Sequence, residues 1–265
     1  MPDLTLVDGE ASLTIATDAG GRFATLQVDG LDLIGRGGPG LYHWGCYPMA
    51  PFAGRIRRGL LSWQGRRYQL PITFGPDAIH GVTVDRPWTV LDADAGHARL
   101  SCDFDRRWPW RGRVLADYVL TAGGLTGRLE VQATDRPMPA WAGWHPWFHR
   151  RLQRGEPARI GFNAEAVLVK DADGMPTGET APVPAGPYDD CFAGVTWPAA
   201  ITWDGALRLT IGSDAANLVV FDQLPEVVCV EPQTAPPDAV ALDQHAVVEP
   251  GSPLTVEMRW SWQPA

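Results

Sequence analysis

Glu231 closes an apolar run, Val227 to Val230, in the stretch VVCVEPQTAPP. A carboxylate at the end of a buried strand is costly to ionise, which raises its pKa and suits it to general-base work. The same placement suits a structural ion pair with an arginine, and the residue alone does not separate the two readings. His145 lies in GWHPWF, among aromatic residues and directly before Pro146. An imidazole in that setting is more often a satisfied core group than a catalytic one. Arg55 in PFAGRIRRG and His80 in AIHG are further polar candidates, each with a bland alternative as a surface or loop residue. Asp189 and Asp190 in PYDDCF form either an ordinary turn or a grip on hydroxyl groups, which carboxylates accept well.

Other motifs point away from cofactors. GRGGPG at Gly35 to Gly40 matches the dinucleotide fingerprint only formally, because LYHWG follows it in place of an amphipathic helix. KDADG starts like a calcium loop at Lys170 but lacks the later carboxylates and terminal glutamate, so a hairpin turn is expected. His43 and Cys46 have no second pair to complete a tetrahedral zinc site. Lys170 is the single lysine, which leaves Schiff-base chemistry almost no candidates. We expect neither a metal nor an organic cofactor.

The elements that position these residues are strands. Apolar and polar residues alternate around Leu26 and Val28, along Tyr68, Leu70 and Ile72, and along Leu129, Val131 and Ala133. The pattern repeats at Leu207, Leu209 and Ile211 and from Leu254 to Trp260. A period of two indicates strands with one buried face. Gly20-Gly21, Asp29-Gly30, Gly123-Gly124, Asp173-Gly174 and Asp204-Gly205 supply turns between them. With 29 glycines and 24 prolines spread throughout, long helices have little room. The fold class read from this pattern is all-β, two antiparallel sheets packed face to face, with residues 1–265 as a single domain.

Net charge of -9 argues against nucleic acid and anionic membrane surfaces as partners, since both select basic patches. No segment reaches the ~20 apolar residues of a membrane span, and the first residues show no secretory pattern. Four scattered cysteines without CxxC spacing fit a reduced, cytoplasmic protein.

In order along the chain, PMAPFAGRIRRG, IHG, GWHPWF, MPTGE, YDDCF and VCVEPQT resemble the aldose 1-epimerase, or mutarotase, family from about Pro48 to Gln233. The resemblance implies a large antiparallel β-sandwich, the galactose mutarotase-like supersandwich. It also implies Glu231 as the catalytic base and His145 as the acid, with Arg55, His80 and Asp189 (or Asp190) binding substrate. Trp144 or Trp147 is a candidate stacking wall for the sugar. Gly54 stands where the family usually has asparagine, and Val82 where a second glycine is common. The implied reaction interconverts α and β anomers of a free aldose by acid–base ring opening. The implied partner is a small sugar, bound by a monomer or a homodimer. Three alternatives are a hexose 6-phosphate mutarotase using Arg57, Arg58 or Arg111, a non-catalytic carbohydrate-binding sandwich, and a glycosidase. The last needs a second carboxylate facing Glu231, and the sequence offers no obvious one.

Overall fold

The computed structural model describes residues 3–265. Two large antiparallel sheets dominate it. The first has 11 strands, in the order Leu4–Asp8, Ala11–Ala16, Arg22–Val28, Cys46–Met49, Gly143–His149, Val227–Gln233, Asn217–Phe221, Asp189–Ala193, Ala166–Lys170 and Pro176–Ala181, with Leu31–Asp32 paired alongside Arg22–Val28. The second has 8 strands, in the order Thr89–Ala93, His97–Asp103, Gly112–Thr121, Gly124–Ala133, Leu254–Pro264, Leu207–Ser213, Thr196–Trp203 and Arg159–Asn163. Three two-stranded ribbons complete the fold. A single helical turn, Arg57–Gly59, is the only helical segment among the described residues. None is long and apolar enough to cross a membrane.

The turn residues act where the sequence places them. Asp29 and Gly30 both take positive φ between Arg22–Val28 and Leu31–Asp32, the geometry a tight hairpin requires. Gly123 and Gly124 close the hairpin between Gly112–Thr121 and Gly124–Ala133. In KDADG, the Asp171 carboxylate accepts from the Asp173 and Met175 amides and forms the expected hairpin turn. One expected strand is shorter than its pattern. The strand Arg66–Gln69 includes Tyr68 but stops before Leu70 and Ile72. The Leu70 amide still bonds the Gly59 carbonyl in register with the pairing of Leu60–Trp63, and the ladder ends at Pro71, which has no N–H.

The sheets pack through aromatic contacts. Phe23 meets Tyr118 edge-on at 4.8 Å, and Phe148 meets Trp260 at 5.1 Å. Fully burying one such ring is worth about 1.5–3 kcal/mol, so a few of these contacts matter on the scale of total stability. The hydrophobic cluster runs from Leu6 to Trp260 and draws on both sheets.

Candidate active site

The central strands of the larger sheet are buried on both faces. Gly143–His149 and Val227–Gln233 carry almost no exposed residue. Because side chains alternate, Trp144, Pro146 and Phe148 point to one face and His145 and Trp147 to the other. The face of Phe148 packs on the second sheet. The opposite face is the floor of a pocket.

Register places the candidate acid and base opposite one another. Gly143 pairs with Gln233, and Trp147 with Cys229. His145 and Glu231 fall midway between these pairs, where the ladder is interrupted and Pro146 and Pro232 lack N–H groups. Tyr47 opposes His145 on its other side, and Val219 opposes Glu231. One cross-strand row therefore runs Tyr47, His145, Glu231, Val219.

His145 Nε2 lies 3.3 Å from Glu231 Oε1. The imidazole is sandwiched between Tyr47 at 4.9 Å and Trp147 at 5.0 Å, both nearly parallel to it. Those rings are fixed in turn, since Trp147 Nε1 and the Tyr47 hydroxyl both donate to the Tyr42 carbonyl. Gln233, two residues beyond Glu231 and on the same face, donates to Glu231 Oε2 at 3.1 Å. The carboxyl group is thus held at one oxygen and meets the imidazole with the other.

Burial dominates the electrostatics of the pair. It pushes the Glu231 carboxyl well above the usual range, against the opposing hydrogen bond from Gln233 and with a further upward push from Asp189. It pushes His145 down to about 3, with smaller contributions from His43 and Arg22. Both shifts favour uncharged forms. One proton then belongs to the pair as a whole, and its transfer across the 3.3 Å contact yields a carboxylate and an imidazolium together.

His80 approaches His145 edge-on at 4.9 Å and is itself buried. Desolvation, followed by the influence of His145 and Arg55, holds it well below the normal imidazole range. Its backbone has φ 55°, an uncommon value for a residue with a side chain. A hydrogen bond from its amide N–H to the Gly54 carbonyl holds it there. Gly81 follows at φ 81°, where a Cβ would lie 2.0 Å from the Ala50 carbonyl oxygen. Such local constraint is common where a side chain must be aimed.

All five site residues expected from the sequence, Glu231, His145, Arg55, His80 and Asp189, line one pocket of about 570 Å³, as does Asp190. That volume suits a small ligand. Arg55 stands 4.0 Å from Asp77 with its guanidinium over Phe74. Asp190 pairs with Lys170 at 3.0 Å, whereas the Asp189 carboxylate has no hydrogen bond or ion pair among the described residues. Of the two aspartates, Asp189 is the one whose carboxylate is left for a ligand. Burial raises its pKa.

Several expectations are corrected. Trp144 is fully enclosed in the core, so of the two tryptophans only Trp147 lines the pocket. Asp189 and Asp190 share the pocket with Glu231, so further carboxylates are present near the base. Arg57 does not line the pocket; it is held on the surface by Asp171 at 2.5 Å and Asp173 at 2.8 Å. Arg58 and Arg111 are exposed outside it. Val82 is buried away from the pocket, with its amide on the Ala50 carbonyl. Gly54 does line it, at φ 66°, and Pro237 occupies the space a side chain there would need. The loop at Gly37 to Pro39, read as a plain connection, forms part of the wall.

Sequence reasoning missed Gln233, Tyr42, Tyr47 and Lys170. Gln233 had a usable signal, since it lies two residues from Glu231 on a strand. Tyr42 and Tyr47 are brought in by a distant segment. That segment is anchored by Arg22, which donates to the Leu41 and Trp44 carbonyls and stacks over Trp44.

Residues 2–259 match the aldose 1-epimerase family. A galactose mutarotase from Sus scrofa is 32% identical over 146 residues, a stretch covering 52% of this chain and 42% of that protein. The chain thus aligns with less than half the length of that curated relative. The uncharacterised protein YihR of Escherichia coli is 25% identical over 264 residues, 89% of this chain and 85% of its own. A candidate aldose 1-epimerase crystallised from Escherichia coli K12 superposes with a TM-score of 0.85 at 23% identity, covering 100% of this chain and 99% of that one. That likeness establishes the galactose mutarotase-like fold. With the family match spanning nearly every residue, the chain belongs to the aldose 1-epimerase family.

Proposed function

We propose that the protein interconverts the α and β anomers of a free aldose, with Glu231 as base and His145 as acid. The observation that carries this reading is the 3.3 Å contact between Glu231 Oε1 and His145 Nε2 at the floor of a sugar-sized pocket. A hemiacetal presents its two oxygens on one carbon, so its acid and base must stand close together. Glu231 takes the proton of the C1 hydroxyl, and the electrons of that O–H bond form the carbonyl. The C1–O5 pair leaves with O5, which His145 protonates. Rotation about C1–C2 offers the other carbonyl face, and the reverse transfers close the ring. Each proton transfer typically contributes about 10²–10⁴-fold.

Arg55 and His80 bind the ring oxygen and nearby hydroxyls, and Asp189 holds hydroxyls further along the sugar. Trp147, 5% exposed and stacked on His145, backs the imidazole and meets the sugar at most with its edge. A glycosidase is less well supported despite the extra carboxylates. Its two acidic groups flank a bond at about 5–9.5 Å, whereas the immediate partner of Glu231 is an imidazole at contact distance. A phosphorylated sugar is also less well supported, because Arg57 is committed to Asp171 and Asp173. The four buried, unpaired cysteines fit a reducing, cytoplasmic setting.

The test is exchange spectroscopy on the anomeric protons of a panel of free aldoses, galactose included, and their 6-phosphates. The reading predicts cross-peaks between α and β signals for at least one free sugar at catalytic enzyme concentration. No acceleration for any sugar leaves a binding module.

A further inference from the structure

The acid–base pair has a third neighbour that ring opening leaves unused. Cys229 precedes Glu231 by two residues on the same strand, so its side chain emerges on the same face. It is a free thiol, fully buried one row from His145, between its register partners Trp147 and Phe221. One ligand atom each from His145, Cys229 and Glu231 lie within 4.8 Å of one another.

An ion centred among three atoms so spaced sits within about 2.8 Å of each, against zinc–ligand distances of about 2.0–2.3 Å. Sub-ångström movements of side chains close that gap. The nitrogen, sulfur and oxygen donors suit a borderline-soft cation such as Zn²⁺, whereas Mg²⁺ and Ca²⁺ prefer oxygen alone. Gln233 orients the carboxylate from behind, as the outer partners of metal ligands do. Cys229 lies beneath the pocket floor, while His145 and Glu231 line the pocket, so a fourth position for water or a hydroxyl opens on their side, as in three-ligand zinc sites.

We infer that His145, Cys229 and Glu231 form a binding site for one thiophilic divalent cation, and that this cation and the sugar exclude one another. Binding releases the protons of the Cys229 thiol and the Glu231 carboxyl to solvent. An ion held by a His145 nitrogen and a Glu231 oxygen occupies the lone pairs that proton transfer needs, so it arrests ring opening. The exclusion rests on the epimerase reading; the binding does not.

Cobalt(II) titration of the metal-free full-length protein tests the site, because a thiolate ligand gives cobalt an intense near-ultraviolet charge-transfer band. The expected result is one equivalent bound with that band, displaced by Zn²⁺. The band disappears in Cys229→Ala, a change that buries no new polar group, and persists in the control Cys191→Ala. Thermal unfolding of each variant establishes that it is folded. In parallel, stoichiometric Zn²⁺ slows wild-type mutarotation at least ~10-fold and a chelator restores it. Absence of the band, or its survival in folded Cys229→Ala, overturns the site. Metal binding without inhibition overturns the exclusion. Absence of mutarotation in metal-free protein sinks the epimerase reading, and the cobalt titration still decides the site.

Discussion

At the floor of the pocket, His145, Glu231 and Gln233 are 7%, 3% and 1% exposed, and their neighbours are rings and one another. At its rim, Asp189, Asp190 and Lys170 stand partly in water and neutralise one another in part. The same period-two strands build both regions, yet the physics differs. On the floor, desolvation sets protonation and makes a weak acid and a weak base share a proton. On the rim, water screens charge more, and burial raises Asp189 less than it raises Glu231. In the proposed reaction these groups orient hydroxyls, so chemistry belongs to the dry region and recognition to the wet one.

The largest expected effects break the floor. Glu231→Gln and His145→Asn each lower kcat by about 10²–10⁴-fold with KM little changed, as steady-state mutarotation will show. Removing the Gln233 donor is milder. Gln233→Leu lowers kcat about 10-fold, roughly the value of a hydrogen bond to a charged group. Losing that donor also raises Glu231 further, so the acid limb of the kcat/KM profile moves to higher pH. A KM defect with an unmoved profile contradicts the assigned role.

His145 also makes the floor acid-sensitive. Glu231, whose pKa burial raises, works the other way and loses stability as pH rises, so only a variant at His145 isolates the imidazole's share. The folded-state pKa of His145, about 3, lies below its ordinary value of 6.5. The neutral imidazole therefore contributes stability above about pH 6.5 that is lost as pH falls toward 3. Between pH 7 and pH 4, His145→Asn loses less of its thermal midpoint than wild type does. Equal losses break the account.

On the rim, Asp189→Asn raises KM several-fold and leaves kcat within about twofold, the signature of lost uniform binding. Asp190→Asn, which releases Lys170 and weakens the bond from the Asp189 amide, does less. Outside the pocket the effect vanishes. Arg57→Ala leaves activity on free sugars and thermal stability unchanged, because its ion pairs with Asp171 and Asp173 are surface contacts.

The sequence made the floor legible at Glu231 and His145, because a polar residue inside an apolar strand is conspicuous. It did not reveal which neighbours share that floor. Gly143–His149 and Val227–Gln233 are buried on both faces, so no hydrophobic alternation distinguishes the core side from the pocket side. Trp144 and Trp147 were indistinguishable for that reason, and Gln233 and Cys229 passed unnoticed. The central strands of the second sheet, Gly124–Ala133 and Leu254–Pro264, have one solvated side, and their alternation is plain in the sequence almost residue by residue. Tyr42, Tyr47 and Lys170 reach the site through pairings between distant segments, which no local pattern encodes.

The central claim is that Glu231 and His145 act as one proton-sharing pair on the hemiacetal. Polarimetry of freshly dissolved α-anomers, comparing wild type with Glu231→Gln and with the Glu231→Gln/His145→Asn double variant, addresses it most directly. The account predicts that wild type accelerates mutarotation of at least one free aldose, that the single variant loses nearly all of that, and that the double variant loses almost nothing more. Full activity in Glu231→Gln, or additive losses in the double variant, contradicts it.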